Sequence, residues 1–483
     1  MASKEAGEMM VRLFIDGDWR DGADGKSMPF VDPATGESAG SVCLAARRDI
    51  EDAIEASRRG FAAWSVTPAF ERARILVVAA TELRKRVQTI STLLTTEVGK
   101  PLAQARGEIM SAADTLEWFA EEGKRCFGQV IPGRTTTFHT MTRLEPVGVV
   151  AGFTPWNYPV SQSVKKLAAA LAAGCAIILK GPEEAPAACA EVIKVLAESG
   201  VPPGAISLLF GEPARISERL IADPMVRSVS FTGSVGVGKQ LASLAGLHMK
   251  RIVMELGGHA PAIVCADADL ELAVDELVRM KYLNSGQVCL SPTRFLVAQP
   301  IYGEFLSRFS RAAHALRVDH GLADGVQMGP LANPRRLRAI KALVDDARAS
   351  GANLVCGGTQ IERPGYFFEP TVLSDVPVQA RAMNEEPFGP IALFRSFETL
   401  EEALVEANRL PYGLASYVYT ESLRTEAVVT QRLQAGMVAV NRVFSSTIEA
   451  PFGGVKDSGY GTEGGTQAIR NFLNEKMVTR CVG

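Results

Sequence analysis

The sequence predicts an α/β protein whose sheets are largely parallel. Three observations support this prediction. Short apolar runs alternate with helical patterns over much of the chain, as in repeated βαβ units. A glycine-rich turn stands between one of the predicted strands and its following helix. The 483 residues are 47% hydrophobic and 22% charged, which is typical of a globular chain long enough for two or three structural units.

The first βαβ series covers roughly the second quarter of the chain. Apolar runs predict buried strands at 147–153, 176–180, 206–210 and 226–231. Helical patterns predict helices at 162–173, at 187–199 and near 238–245. Gly174 is placed to end the first of these helices. Such a series is typical of a nucleotide-binding sheet.

A second αβ series follows the glycine pair at 257–258. Its predicted strands are 261–264 and 294–298, and its predicted helices are 270–281 and 301–316.

Two further segments alternate in polarity and predict exposed strands. Residues 134–143 are rich in threonine and indicate a hairpin arm, and residues 476–482 alternate more loosely. Because exposed strand edges are normally covered, we expect these two segments to pair with each other or with another subunit.

Composition excludes several classes of partner. The formal net charge is −3, which gives no electrostatic reason to expect nucleic acid or an anionic membrane as a partner. No run reaches the roughly 20 apolar residues of a membrane helix, and the charged N-terminus does not resemble a signal peptide. We therefore expect a cytoplasmic protein.

The eight cysteines predict free thiols rather than a metal or dithiol centre. None forms a CxxC pair, so we expect no metal site. Most should be small buried apolar groups, which is also the ordinary interpretation of any single cysteine. Cys289 differs because it directly follows a glycine-containing turn.

Seven short motifs occur in a fixed order along the chain. Taken singly, most have ordinary structural interpretations as turns or core residues. In order they are Pro-Trp-Asn157, Lys180-x-x-Glu183, Phe-Thr-Gly-Ser234, Glu255-Leu-Gly-Gly, Gly-Gln-x-Cys289, Glu386-x-Phe-Gly-Pro and Pro-Phe-Gly-Gly454. This ordered set resembles the NAD(P)-dependent aldehyde dehydrogenase family over essentially the whole chain.

The resemblance implies a catalytic set and an oxidation of aldehyde to acid. Cys289 would attack the aldehyde carbon, although a free thiol, with a pKa of about 8.5, needs an activating environment. The side-chain amide of Asn157 and the backbone N–H of Cys289 would hold the oxyanion. Glu255 would be the general base that hydrolyses the thioester. Lys166 matches a supporting lysine of the family, and a solvated helix lysine is the alternative interpretation.

The resemblance also implies a bound nicotinamide cofactor. Glu183 would hydrogen-bond the adenosine ribose and repel a 2′-phosphate, which favours NAD, with NADP as the alternative. The matching positions are Thr154, Pro155, Trp156, Lys180, Glu183, Gly233, Ser234, Gly238, Leu256, Glu386 and Phe388.

Within the family the chain resembles the 2-oxoglutarate semialdehyde and succinate semialdehyde dehydrogenases. Members of that group typically bind the substrate carboxylate with two arginines, and here Lys165 and Leu283 occupy those positions. Lys165 and Ser446 would therefore hold a semialdehyde acid, with Arg442 contributing. In the alternative, Leu283, Tyr158, Phe444 and Trp156 line a pocket for an uncharged aliphatic or aromatic aldehyde.

The family's architecture implies three parts. A Rossmann-type cofactor-binding domain would comprise 1–127 and 147–255, and an α/β catalytic domain 256–465. A small β element for oligomerisation would comprise 128–146 and 466–483, giving a homodimer or tetramer. A non-catalytic binding or structural protein on the same fold is a further alternative, which the presence of both Cys289 and Glu255 disfavours.

Overall fold

The computed structural model describes residues 9–444 and 447–481. The strands β1 to β21 are, in chain order, Met10–Val11, Leu13–Ile15, Asp18–Arg20, Ser27–Val31, Ser38–Cys43, Val130–Ile131, Phe138–Pro146, Val149–Phe153, Ala176–Lys180, Ile206–Leu209, Val226–Thr232, Arg251–Glu255, Ala260–Val264, Pro292–Ala298, Asn353–Cys356, Thr371–Ser374, Ile391–Phe397, Ala415–Tyr419, Met437–Val440, Gly459–Tyr460 and Leu473–Cys481. The helices α1 to α13 are Arg47–Trp64, Ala69–Lys85, Val87–Val98, Leu102–Lys124, Pro159–Ala173, Pro186–Glu198, Pro213–Ala222, Val235–Leu247, Leu270–Tyr282, Tyr302–His314, Pro334–Ala349, Leu400–Asn408 and Leu423–Arg432.

The first large sheet has eight strands in the order β20-β12-β11-β8-β9-β10-β2-β3. Its five central strands are parallel, because helices on its faces return the chain to the same edge. All four strands predicted for this series are confirmed. Helix α5 ends at Gly174, whose φ of 93° is the left-handed conformation that glycine adopts without strain, as predicted.

The second large sheet has seven strands in the order β15-β16-β17-β14-β13-β18-β19, all parallel except β15. The two predicted strands of this series are observed as β13 and β14, and the two predicted helices as α9 and α10. Each large sheet has its own buried apolar clusters, so the α/β prediction with two packed sheets is confirmed.

One late segment belongs to the first sheet rather than the second. Strand β20 pairs antiparallel with β12, placing Gly459 opposite Glu255. This strand falls inside the range 256–465 that the sequence assigns to the catalytic part. The three-part division of the chain itself stays a prediction.

The arm is a separate three-stranded sheet in the order β21-β7-β6. Strands β7 and β21 pair antiparallel over their whole length, with His139 opposite Arg480. The predicted pairing of the threonine-rich segment with the C-terminal strand is therefore confirmed. Within the described ranges, no helix is both long and apolar enough to cross a bilayer.

Candidate active site

The motif residues collect at the carboxyl ends of the first sheet's parallel strands, where α/β proteins bind ligands. The loop 154–158 follows β8, Lys180 ends β9, and Glu255 ends β12. The second sheet contributes the turn before Cys289, which follows α9. The site therefore lies between the two sheets.

The turn before Cys289 has an unusual backbone. Asn284 and Ser285 both adopt positive φ, at 47° and 57°, and Gly286 follows at 72°. Such values are rare for residues with a side chain and persist only when the surroundings hold them. Here the Ser285 hydroxyl donates to the carbonyl of Gly329 at 2.8 Å, and Gln287 Oε1 accepts from the backbone of Ala332 at 2.9 Å. The turn is thus fixed to its neighbours on both sides.

The Asn157 side chain is buried against this turn. Its Nδ2 donates to the carbonyl of Gln287, two residues before Cys289, at 3.0 Å. An amide nitrogen carries two protons, so this bond leaves one donor for a negatively charged oxygen formed beside Cys289.

The Cys289 thiol is half-buried, and burial raises its pKa to about 12. The nearby charge of Glu386 raises that pKa further, while Lys165 lowers it. The activating environment expected from the sequence is therefore not supplied by the protein's own charges, because desolvation outweighs Lys165.

Glu255 is buried, and neither of its carboxylate oxygens has a hydrogen-bond partner among the described residues. Burial raises the pKa of this carboxyl well above its usual value, and repulsion from Glu463 adds to the effect. A buried carboxyl group without hydrogen-bond partners is energetically costly, and a role in proton transfer during a reaction would explain why it is present.

Lys166 is fully buried and does not reach solvent. Its Nζ donates to Glu463 Oε1 at 2.5 Å and to the hydroxyl of Thr232 at 2.7 Å. The alternative interpretation as a solvated helix lysine is therefore wrong. The structure places Lys166 behind Glu255, paired with the second carboxylate of a buried cluster.

The glycine-rich turn after β11 leads into helix α8. Ser234 precedes the helix, and its side chain makes no capping hydrogen bond within the described residues, so backbone N–H groups of the first turn are free to meet an anion. A Cβ on Gly238 would lie 2.4 Å from the Leu256 side chain, so a larger residue would displace Leu256 where the helix packs on the strand end. Gly233 donates its N–H to the carbonyl of Glu255 at 3.0 Å.

Lys180 and Glu183 form a pair at the end of β9. Lys180 Nζ lies 2.6 Å from Glu183 Oε2, and Glu183 Oε1 accepts from the backbone of Gly211 at 2.7 Å. These contacts hold an acid at the strand end, where a ribose hydroxyl could donate to it. Thr154 lies beside this pair, with its N–H on the carbonyl of Lys180 at 3.1 Å.

Glu386 and Phe388 approach from the loop before β17. Glu386 Oε1 accepts from the backbone of Gly258 at 3.1 Å, and burial raises the pKa of this carboxyl to about 7. Phe388 has a φ of 46° and packs edge-on against Trp156, next to Pro155, with ring centroids 5.6 Å apart. The cofactor positions predicted from both sheets thus lie next to one another, and their helix N-terminus, strand-end acid and glycine-rich turn are groups that suit a dinucleotide.

Four of the predicted substrate residues are described by the structure, and they lie on the Cys289 side. Lys165 Nζ sits over the Phe452 ring, 3.9 Å from its centroid, and its charge acts on both Glu255 and Cys289. Tyr158, Leu283 and Phe444 are half-buried against the second sheet's core. Ser446 lies outside the described residues.

Comparison with known proteins decides the family. Residues 19–478 match the model of the aldehyde dehydrogenase family. The chain belongs to the aldehyde dehydrogenase family.

Three relatives illustrate the similarity of this aldehyde dehydrogenase to known proteins. A putative 4-(hydroxymethyl)benzenesulfonate dehydrogenase of Comamonas testosteroni is 46% identical over 96% of this chain and 97% of its own. An NADP(+) succinate-semialdehyde dehydrogenase of Escherichia coli is 38% identical, with 98% of each chain covered. The solved structure of betaine aldehyde dehydrogenase from Staphylococcus aureus with NAD+ is 32% identical, with a TM-score of 0.95 over 97% of this chain and 95% of that one.

These findings confirm the predicted family, fold and enzyme class. The protein is an NAD(P)-dependent aldehyde dehydrogenase, and the expected similarity to semialdehyde dehydrogenases is present. The non-catalytic alternative is set aside. The higher identity to a relative named for an aromatic sulfonate was not expected from the sequence.

Sequence reasoning missed several residues of the aldehyde dehydrogenase site. Glu463 reaches Lys166 from 297 positions away. Lys100 and Glu108 form a buried ion pair below the loop that carries Asn157. No local spacing marks these residues, because the fold alone brings them to the site.

Proposed function

We propose that this aldehyde dehydrogenase oxidises an aldehyde that carries an acidic group to the free carboxylic acid, with Cys289 as nucleophile. One observation supports the chemistry above all others. The buried turn of Cys289, the amide of Asn157 and the partnerless carboxyl of Glu255 converge between the two sheets. Together they supply a nucleophile, an oxyanion donor and a base.

The steps follow from these three groups. The Cys289 thiol loses its proton to solvent, and the sulfur bonds to the aldehyde carbon. Asn157 Nδ2 and the Cys289 N–H stabilise the resulting oxyanion. When bound, NAD(P)+ supplies the two-electron oxidation by accepting a hydride from that carbon. Glu255 then takes a proton from water, the hydroxide adds to the thioester, and the C–S bond breaks to give the acid.

The proposed role of Lys166 is to position Glu463 and balance its charge. Their 2.5 Å ion pair stands behind Glu255, where an unbalanced second carboxylate would oppose ionisation of the base.

We propose NAD ahead of NADP as the cofactor. A 2′-phosphate on the adenosine ribose would meet the Glu183 carboxylate, which two hydrogen bonds hold in place. The NADP(+)-named relative shows that both choices exist among similar chains. Comparing kcat/KM for the two cofactors measures this preference.

The position and charge of Lys165 support the proposal that the substrate is acidic. It is a half-buried cation whose charge lowers the pKa of both Glu255 and Cys289, and its Nζ lies over the Phe452 ring. Two relatives are dehydrogenases named for compounds that carry an acidic group, one a benzenesulfonate and the other succinate semialdehyde. A semialdehyde acid such as 2-oxoglutarate or succinate semialdehyde, held by Lys165 and Ser446, satisfies both observations.

The apolar side chains at this end of the site favour a second candidate. Leu283, Tyr158 and Phe444 present apolar or aromatic surface and no positive charge. They would suit an uncharged aliphatic or aromatic aldehyde, or an aromatic ring between the aldehyde and the acid.

Two matched pairs of aldehydes separate charge from shape. We expect succinate semialdehyde to exceed pentanal, and 4-carboxybenzaldehyde to exceed benzaldehyde, by at least about tenfold in kcat/KM, which is about 1.4 kcal/mol. Lys165→Met should reduce this advantage to about twofold or less, while Lys165→Arg retains it. Because Lys165 lowers the pKa of both Cys289 and Glu255, its loss should also slow the uncharged aldehydes, so the ratio within each pair is the quantity to compare. If pentanal or benzaldehyde is preferred by the unmodified enzyme, the acidic substrate is wrong and the apolar pocket defines specificity.

We propose that the arm joins subunits into a dimer or tetramer. Strand β21 has β7 on one side only among the described residues, and its other edge offers unpaired backbone groups. Deleting 128–146 should give a monomeric or aggregated protein in light scattering. A deletion variant that still forms a tetramer would contradict this role.

A further inference from the structure

The backbone carbonyl of Asn157 accepts two hydrogen bonds from buried side chains. Lys100 Nζ donates to it at 2.9 Å, and Asn284 Nδ2 donates to it at 3.1 Å. Both donors are about 1% exposed. They come from opposite sides, because Lys100 follows α3 of the first half and Asn284 lies in the turn before Cys289.

Lys100 is itself held by several groups. It forms a fully buried ion pair with Glu108, at 2.5 Å, and its Nζ lies 3.8 Å from the centre of the Tyr158 ring. Glu108 also accepts the N–H groups of Val160 and Ser161, in the first turn of α5. The ion pair therefore contacts the loop 154–158 at Asn157 and Tyr158, and it also contacts the first turn of the helix that follows.

Asn284 ties the same loop to the nucleophile turn. Its Nδ2 contacts the carbonyls of both Asn157 and Gln287, and the Asn157 side chain donates to that same Gln287 carbonyl. Because both carbonyls accept from Nδ2, they determine which end of the Asn284 side-chain amide carries the nitrogen. Its left-handed backbone conformation is tolerated by asparagine better than by most residues.

We infer that Lys100 and Asn284 are positioning residues that set the Asn157 amide for the oxyanion. This inference rests on the proposed function. A donor displaced by about 1 Å costs about 10²-fold in rate, so groups that fix the Asn157 backbone matter even though they never touch the substrate. The buried lysine and glutamate fix the position of the Asn157 carbonyl, because a hydrophobic pair would fill the same space without a hydrogen bond to it.

The test compares kcat/KM for the preferred aldehyde among matched variants. We expect Asn284→Gly, which accepts the left-handed backbone, and Lys100→Met/Glu108→Gln, which leaves no lone buried charge, each to lose about 10- to 100-fold. Asn157→Ala should lose about 10²- to 10³-fold. Adding either positioning change to Asn157→Ala should cost no more than about another twofold, because the donor they position is already gone.

A second readout separates positioning from general damage. Mass spectrometry can follow the alkylation of Cys289 by iodoacetamide. In this reaction the sulfur attacks a saturated carbon, so no oxyanion forms. We expect its rate, and the affinity for NAD, to stay within about twofold of the unmodified enzyme in Asn284→Gly.

The inference is overturned if kcat/KM of both variants stays within about twofold of the unmodified enzyme. It is also overturned if their losses multiply with that of Asn157→Ala, or if Cys289 alkylation falls in parallel. Failure of the proposed function looks different, because Asn157→Ala would then retain full activity or the unmodified enzyme would form no NADH.

Discussion

Replacing Cys289 with serine should lower kcat/KM for aldehyde oxidation by about 10⁴-fold or more, which is at least about 5.4 kcal/mol of transition-state stabilisation. Serine keeps the shape of the side chain but not its nucleophilicity. The burial that raises the thiol pKa to about 12 would oppose ionisation of a hydroxyl even more strongly. NADH absorbance measures the loss, and intact mass spectrometry should find no acyl-enzyme.

Cys356 offers a matched control for this variant. It is also a free, half-buried thiol, but it lies on β15 at the far edge of the second sheet. Cys356→Ser should retain activity within about twofold. If Cys289→Ser kept more than a tenth of the activity, a covalent thioester route would be ruled out.

Replacing Glu255 with glutamine should separate the two halves of the reaction. Formation of the thioester should persist, while its hydrolysis slows by about 10²- to 10⁴-fold because water loses its base. Rapid mixing should therefore show a burst of one NADH per site, followed by a slow steady rate. Intact mass spectrometry should show the acyl group on Cys289.

The pH profile gives an independent check on Glu255. The base must be ionised, and its pKa is raised well above that of an ordinary glutamate, so kcat should fall as the pH drops through this raised value. Glu255→Gln should lose this limb of the profile.

The exposed Glu385, paired with Arg381, provides the control, and Glu385→Gln should behave like the unmodified enzyme. Because Glu255 activates water, we expect the unmodified enzyme to release the free acid and not to acylate coenzyme A. An acyl-coenzyme A product would contradict hydrolysis.

The sequence was most informative where structure and chemistry are local. Strands 176–180 and 226–231 could be predicted because apolar runs between turn residues depend on neighbours in the chain. Cys289, Asn157 and Glu255 could be selected because their motifs occur in order. Lys100 and Glu463 could not be found, since each meets its partner only after folding. The raised pKa of Cys289 was missed for the same reason, because burial is a property of the tertiary structure.

The return of the chain to the first sheet has a consequence for how this protein is made. Strand β20 completes one edge of that sheet, and Ala468, Ile469, Phe472 and Leu473 belong to its apolar core. The first half of the polypeptide therefore leaves the ribosome with apolar surface that the segment 459–473 covers only later. Such distant contacts make folding slow and expose intermediates to aggregation. Synthesis must pass residue 473 before the first sheet can reach its native packing.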